Sequence, residues 1–169
     1  MRMITGYLRP TSGQVLLGGI DIWQSPKQAK RLLGYLPESA PLFEDMTVES
    51  FLAYLAGIRG IGGKARKLAI DRAIDLCFLQ NVRYQAIDTL SKGYRHRVCL
   101  AQSLLHDPDI IIFDEPTDGL DPNQKQEIRD LINEFRLNKA IILSTHILDE
   151  VSAVCTDVLL LDHGKKLFT

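Results

Sequence analysis

The chain has 169 residues, 20 lysines and arginines against 21 aspartates and glutamates, and 46% apolar residues, the makeup of one ordinary globular domain. A net charge of −1 excludes the basic excess that counterion release onto nucleic acid requires, so no nucleic-acid partner is expected. Cys77, Cys99 and Cys155 form an odd set with no Cys-x-x-Cys pair, and no apolar run approaches the roughly eighteen residues of a membrane span, so a soluble protein in a reducing, cytoplasmic compartment is expected.

Met1 to Thr5 reads as the end of a helix, with Gly6 suited to the left-handed C′ position and Pro10 as a stop, yet nothing before Met1 caps it. An end without a start suggests that sequence is missing upstream. Gln14 to Leu17 and Ile20 to Trp23 flank Gly18-Gly19 and predict a β-hairpin. Ser25-Pro26 offers an N-cap and an N1 proline for a short helix over 27–31, and Leu33 to Leu36 is a strand stopped by Pro37. Thr47 can cap a helix whose inner face is Val48, Phe51, Leu52, Leu55 and Ile58, ending at the Gly60-Ile61-Gly62-Gly63 break. A second helix is expected from Lys64 to Leu79 with Leu68, Ala69, Ala73, Leu76 and Cys77 inward, and a third from Ser91 to Leu105.

Beyond Pro108 the pattern becomes α/β. The runs 109–114, 140–144 and 158–161 are near-continuously apolar, as strands covered on both faces by crossover helices would be, and Asp162-His163-Gly164-Lys165 reads as the turn into a closing hairpin strand that ends at Thr169. Between the first two, Asp121-Pro122-Asn123-Gln124 supplies an N-cap, an N1 proline and an N3 glutamine for a helix with Ile128, Leu131, Ile132 and Phe135 inward.

The segment Ile110-Ile111-Ile112-Phe113-Asp114-Glu115-Pro116 delivers two carboxylates to the carboxyl end of a buried strand, where open α/β folds place their ligands. There one carboxylate can hold Mg²⁺ and the other can activate a water; equally, two acids can simply solubilise a strand end. Ser91, in Leu90-Ser91-Lys92-Gly93-Tyr94, can bind a phosphate with the free N–H groups of the helix start, or be an ordinary serine cap. Asp118-Gly119-Leu120-Asp121 follows the acidic strand, and the next strand ends in Ser144-Thr145-His146.

The order of these motifs resembles the ATP-binding-cassette (ABC) ATPases over nearly the whole chain. The resemblance implies an α/β, P-loop NTPase-like core with a mostly parallel sheet and an inserted helical subdomain, incomplete at both ends. It divides the chain into a partial core (1–46), a helical subdomain (47–105) and a second core portion (106–169). It implies MgATP as ligand, with Asp114 as the magnesium carboxylate and Glu115 as the catalytic base. His146 becomes the switch histidine at the γ-phosphate, and Ser91 and Gly93 the signature motif that reaches a nucleotide held by the opposite subunit. Asp121 falls in the loop that communicates across that dimer, and Glu38 falls in the segment where the family commonly has a magnesium-sensing glutamine. Lys92 and Tyr94 depart from the usual glycine and glutamine of the signature; the serine and second glycine remain.

No Gly-x-x-x-x-Gly-Lys-Ser/Thr loop occurs. Gly63-Lys64 fails because the first glycine would fall on Ile58, Ala65 replaces the hydroxyl, and a helix precedes it. In the family that loop sits just before a helix resembling Met1 to Tyr7, so the chain reads as a fragment unable to hydrolyse ATP alone. The short helical insertion excludes the long coiled coil of chromosome-maintenance relatives and favours a transporter subunit. The stretches 7–13 and 54–60 resemble exporters, drug-export and gliding-motility types, whose ATPase and membrane subunits are separate chains. The expected partners are a transmembrane permease, met through Pro41, Leu42, Phe43 and Met46, and a second ATPase subunit in a head-to-tail dimer. This would place the protein on the cytoplasmic face of the membrane. The alternatives are a non-catalytic cassette that donates Ser91 in trans and a ribosome-associated soluble cassette protein.

Overall fold

Turn chemistry shapes the N-terminal part of the computed structural model, which describes residues 1–39 and 41–168; Ala40, and Thr169 at the expected end of the last strand, lie outside the described residues. Gly18 and Gly19, at φ 56° and 82°, join β1 (Leu16–Leu17) to β2 (Ile20–Asp21) with Leu17 opposite Ile20, the expected hairpin. Met1 to Thr5 forms helical turns that close at Gly6, φ 70°. There the Gly6 N–H meets the Met3 carbonyl at 3.2 Å and the Tyr7 N–H meets the Arg2 carbonyl at 2.9 Å, the paired bonds of a Schellman ending. Ser25 precedes α1 (Pro26–Arg31) as expected, but its side chain makes no capping bond. Asp21 instead closes the turn before the helix, its Oδ1 accepting from the Trp23 and Gln24 N–H groups at 2.7 and 3.1 Å. β3 (Leu33–Leu36) follows.

Thr47 caps α2 (Val48–Ile58) by accepting from the Ser50 N–H at 3.2 Å, and Val48, Phe51 and Leu52 are buried as predicted. Ile58 is not; it is 66% exposed in the final turn. α3 (Gly63–Leu76) stops short of the expected Leu79 because Phe78 takes a left-handed backbone, φ 55°, and completes the same Schellman pattern without a glycine. Its buried stripe is Ile70, Ala73 and Ile74, continued by Cys77, while Leu68 is 70% exposed, contrary to the prediction. At 3.6 residues per turn Leu68 lies about 200° around the helix from Ile70, so both cannot face the same neighbours. Two 3-10 turns, Gln80–Val82 and Ile87–Thr89, lead into α4 (Lys92–Leu104), whose cap is Ser91.

The sheet is three parallel strands in the order β3-β4-β5, with β4 (Ile110–Asp114) central and β5 (Ala140–Ser144) at one edge. Alternation along β4 splits the core: Ile111 and Phe113 join Leu36 and the helices, whereas Ile112 packs with Leu33, Leu17, Ile22 and Ala29 on the hairpin side. α5 (Pro122–Phe135) makes the crossover to β5, burying Ile128, Leu131 and Ile132. Edge strand β5 is less covered than its apolar run suggests, with Ile142 39% exposed.

After α6 (Leu148–Val154), the run 158–161 departs from the buried parallel strand expected of it, while the hairpin turn expected at 162–165 forms. β6 (Leu160–Asp162) does not enter the parallel sheet but pairs antiparallel with β7 (Lys165–Phe168), and Val158 to Leu161 are all substantially exposed. The turn at His163-Gly164, with φ 46° and 75°, makes β6 and β7 antiparallel neighbours, because a two-residue link cannot join parallel strands.

Gly34 on β3 leaves no room for a side chain, since a Cβ would lie 2.5 Å from the Ser103 carbonyl oxygen and 2.8 Å from Pro108; Gly34→Ala should lower unfolding free energy by about 1–3 kcal/mol. Gly57→Ala, inside α2 with nothing nearer than the Arg66 guanidinium at 3.6 Å, should raise it by up to about 1 kcal/mol, and denaturant unfolding reads both signs. The His106 ring bonds the Leu33 carbonyl at 3.0 Å, and burial, aided by Arg59, pushes its pKa down to about 4. An unfolded histidine titrates near ~6.5, so between about pH 6.5 and 4 the unfolded chain binds the extra proton and stability falls as pH falls. That part of the slope should be missing from His106→Gln.

Candidate functional site

Parallel pairing in register brings the chemistry to one edge. Asp114 closes β4 opposite Ser144, which closes β5, and Leu36 at the end of β3 lies opposite Phe113. The next residues, Pro37-Glu38, Glu115 and Thr145-His146, therefore all leave from the carboxyl edge of the same sheet. The Asp114 carboxylate is held by two neutral donors: Ser144 Oγ donates to Oδ1, and the Tyr35 hydroxyl donates to Oδ2 at 3.4 Å. Burial, with the adjacent Asp114 charge, pushes the Tyr35 pKa up, which keeps it a donor. Among the described residues no cation pairs with Asp114. A carboxylate so oriented, unneutralised and beside other oxygen groups fits a hard divalent cation, which needs only one or two protein carboxylates when phosphates and water complete its shell.

Glu115 turns the chain sharply. Its φ is 50°, a left-handed conformation costing a non-glycine residue roughly 1–2 kcal/mol, and its N–H still reaches the Ser144 carbonyl at 3.0 Å. The turn points its carboxylate across to β5, where Oε2 lies 2.9 Å from His146 Nδ1. The hydrogen bond and charge of Glu115 raise the His146 pKa, favouring the imidazolium, although the ring itself is largely exposed.

Ser91, Gly93 and Asp121 form a second group at the junction of α4 and α5. Ser91 Oγ accepts from the Tyr94 N–H at 3.4 Å, and Asp121 Oδ1 accepts from the Asn123 and Gln124 N–H groups at 3.0 Å each, so both side chains cap their helices. Gly93 is buried against α5, where a Cβ would come within 2.7 Å of the Gln124 side-chain amide. Lys92 Nζ stands 3.7 Å from Asp118, and Arg97 pairs with Glu127 one turn further along. Among the described residues no hydrogen bond or ion pair joins Ser91 to Asp114, Glu115 or His146. The residues singled out thus fall into an Asp114–Glu115–His146 cluster, with Glu38 exposed at the same edge, and a separate Ser91–Gly93–Asp121 junction.

Sequence reasoning missed Tyr35 and Ser144 as supports of Asp114. Ser144 stood in the Ser-Thr-His string, but only strand register puts it opposite Asp114. It also missed Glu150, 1% exposed, which accepts from Thr117 Oγ1 and from Thr145 Oγ1, the latter at 2.8 Å. An acid in the first turn of a short helix gives no outward sign of such burial.

Comparison with known proteins identifies the family and the fold. The family model described as "ABC transporter" matches residues 1–118. The probable multidrug ABC transporter ATP-binding protein YbhF of Escherichia coli (strain K12) is 36% identical over 165 residues, covering 97% of this chain but 28% of that protein. The ABC transporter ATP-binding protein NatA of Bacillus subtilis (strain 168) is 32% identical over 170 residues, covering 99% of this chain and 69% of that one. Among solved structures, an ATP binding subunit of an ABC transporter superimposes with TM-score 0.86 at 27% identity, covering 96% of this chain and 68% of the other. Another, cbiO1 from Clostridium perfringens, part of the ABC transporter complex cbiONQ, gives 0.85 at 26% identity, covering 99% and 69%. With residues 1–118 matched by the family model and 99% of the chain covered by a relative at 32% identity, the protein belongs to the ABC transporter family and carries the fold of its ATP-binding domain.

Proposed function

We propose that the chain is part of the ATP-binding subunit of an exporter-type ABC transporter and couples MgATP binding and hydrolysis to movement of a substrate across a membrane. The observation that carries this reading is the in-register ending of β4 and β5, which gathers Asp114, Glu115 and His146 at one edge of the sheet. Asp114 would hold Mg²⁺, with Glu38 leaving from the same edge to sense it, and when bound the ion supplies charge neutralisation at the phosphate oxygens. Glu115 accepts the proton of the attacking water, and its strained turn keeps the carboxylate projecting from the strand end. His146 holds that carboxylate through Nδ1 and, with its pKa raised, offers a cationic ring to the terminal phosphate.

Ser91 and Gly93 lie apart from this cluster, which favours their acting on a nucleotide held by a second ATPase subunit in a head-to-tail pair. Gly93 serves by letting α4 seat closely on α5, and Asp121 by fixing the loop between the two groups. For the permease, Phe43 and Tyr54 are the exposed members of an edge-to-face aromatic set that Phe43 makes with Tyr54 and the buried Phe51, whereas Leu42 and Met46 pack partly into the core. No helix among the described residues is long and apolar enough to cross a membrane, so attachment through such a permease on the cytoplasmic face suits the chain. A second reading, a cassette partner that donates Ser91 without hydrolysing ATP itself, is favoured by the separation of Ser91 from the Asp114–Glu115–His146 cluster.

Affinity purification of the chain from native membranes should recover a permease and a second cassette, and the purified complex should hydrolyse ATP. Glu115→Gln should lower turnover by about 10²–10⁴-fold while leaving assembly intact. Recovery with ribosomes, or turnover indifferent to Glu115, would sink the assignment. MgATP titration of the 169-residue chain alone should give weak binding, and saturation at micromolar concentrations would show that it needs no glycine-lysine cradle.

A further inference from the structure

Glu150 is the single charged side chain among the buried described residues, at 1% exposure. A carboxylate taken out of water is costly unless its oxygens are satisfied, and here each oxygen has one hydroxyl donor: Thr117 at Oε1, and Thr145 at Oε2, 2.8 Å away. Asp149, beside it in the first turn of α6, remains exposed, so an acid needed only to complement the helix start had no reason to go inside. The two donors come from different strand exits. Thr117, 2% exposed, lies two residues beyond Glu115; Thr145 immediately precedes His146, and its Oγ1 also accepts from the Ile147 N–H at 3.1 Å.

We infer that Glu150 is a positioning residue that ties the segment after β4 to the segment after β5, and so sets the pairing of Glu115 with His146. The inference rests on the proposed roles of those two residues. The strand ladder stops at Asp114 and Ser144, with only the Glu115 N–H to Ser144 bond beyond it. Past that point the exits could separate. Both are anchored instead on one buried carboxylate, which allows the exposed ring of His146 to keep a fixed partner. Cutting either tether frees the ring from Glu115 without touching either group.

The test is the titration of the His146 ring, followed by NMR in the 169-residue chain without nucleotide. Thr117→Val is near-isosteric, removes one tether and leaves the charge of Glu150 and of Asp118, which also faces the ring, in place. In the parent chain His146 should titrate above the ordinary ~6.5. Thr117→Val should abolish more than half of that elevation, and Thr117→Ser should restore it. An elevation equal in the parent and Thr117→Val, with unchanged circular dichroism, would overturn the inference, as would a parent ring that titrates normally. Should Thr117→Val fail to fold, the parent chain decides: the hydroxyl protons of Thr117 and Thr145 should be slowly exchanging resonances close to the Glu150 side chain, and their absence would refute the tether. Because no nucleotide is present, failure of ATP turnover in the assembled complex would count against the proposed function and leave this readout standing.

Discussion

The site depends on two short parallel strands ending level with each other. Pairing of β4 with β5 sets Asp114 against Ser144, and Glu115 and His146 follow within two residues of those ends. Parallel strands all present their carboxyl ends at one edge, so a carboxylate pair on one and a histidine on its neighbour converge without any long-range design beyond register. A slip of one residue would turn Asp114 to the other face and remove its Ser144 partner. Burial of Ile111, Ile112 and Phe113 on the two faces of β4 is what makes such a slip costly.

The helical segment is bound to this edge through α4. Its N-terminus rests on the first turn of α5, with Gly93 allowing contact, Arg97 meeting Glu127 and Lys92 near Asp118. Because α5 begins a few residues beyond β4, the serine turn and the acidic strand end are linked through one short loop, Asp118 to Asp121. Farther from the edge, the close approach at Gly34 seats α4 on β3. The signature-like helix is therefore positioned at both its ends relative to the sheet. Its serine nevertheless stays clear of Asp114 within one chain, which is the arrangement a site completed by a second subunit would need.

Much of the local structure was legible because single residues carry it. Gly18-Gly19 and His163-Gly164 take the positive φ angles of tight turns, Thr47, Ser91 and Asp121 cap helices, and Gly6 and Gly60 end them. The errors occurred where side chains compete or where pattern is ambiguous. Ser25 precedes α1 without a side-chain capping bond, Phe78 ended α3 in a conformation that usually selects glycine, and Leu68 fell outside the buried stripe. The apolar run 158–161 has the same composition whether it enters a parallel sheet or pairs in an exposed hairpin, so composition could not separate the two.

What the sequence determined by itself was the order of the chemical groups: a capped helix at Ser91, a strand ending in Asp114-Glu115, and a later strand ending before His146. Those follow from local rules of turns, caps and periodicity, which act over a few residues. The tertiary structure alone decided which groups meet, because strand register and burial are properties of pairs distant in the chain. The Ser144 and Tyr35 hydroxyls on Asp114, the His146 ring against Glu115, and above all a buried Glu150 between two threonines arise only when β3, β4, β5 and α6 pack together. An isolated carboxylate in a helix sequence carries no mark of the dielectric it will occupy; that is set by what folds over it.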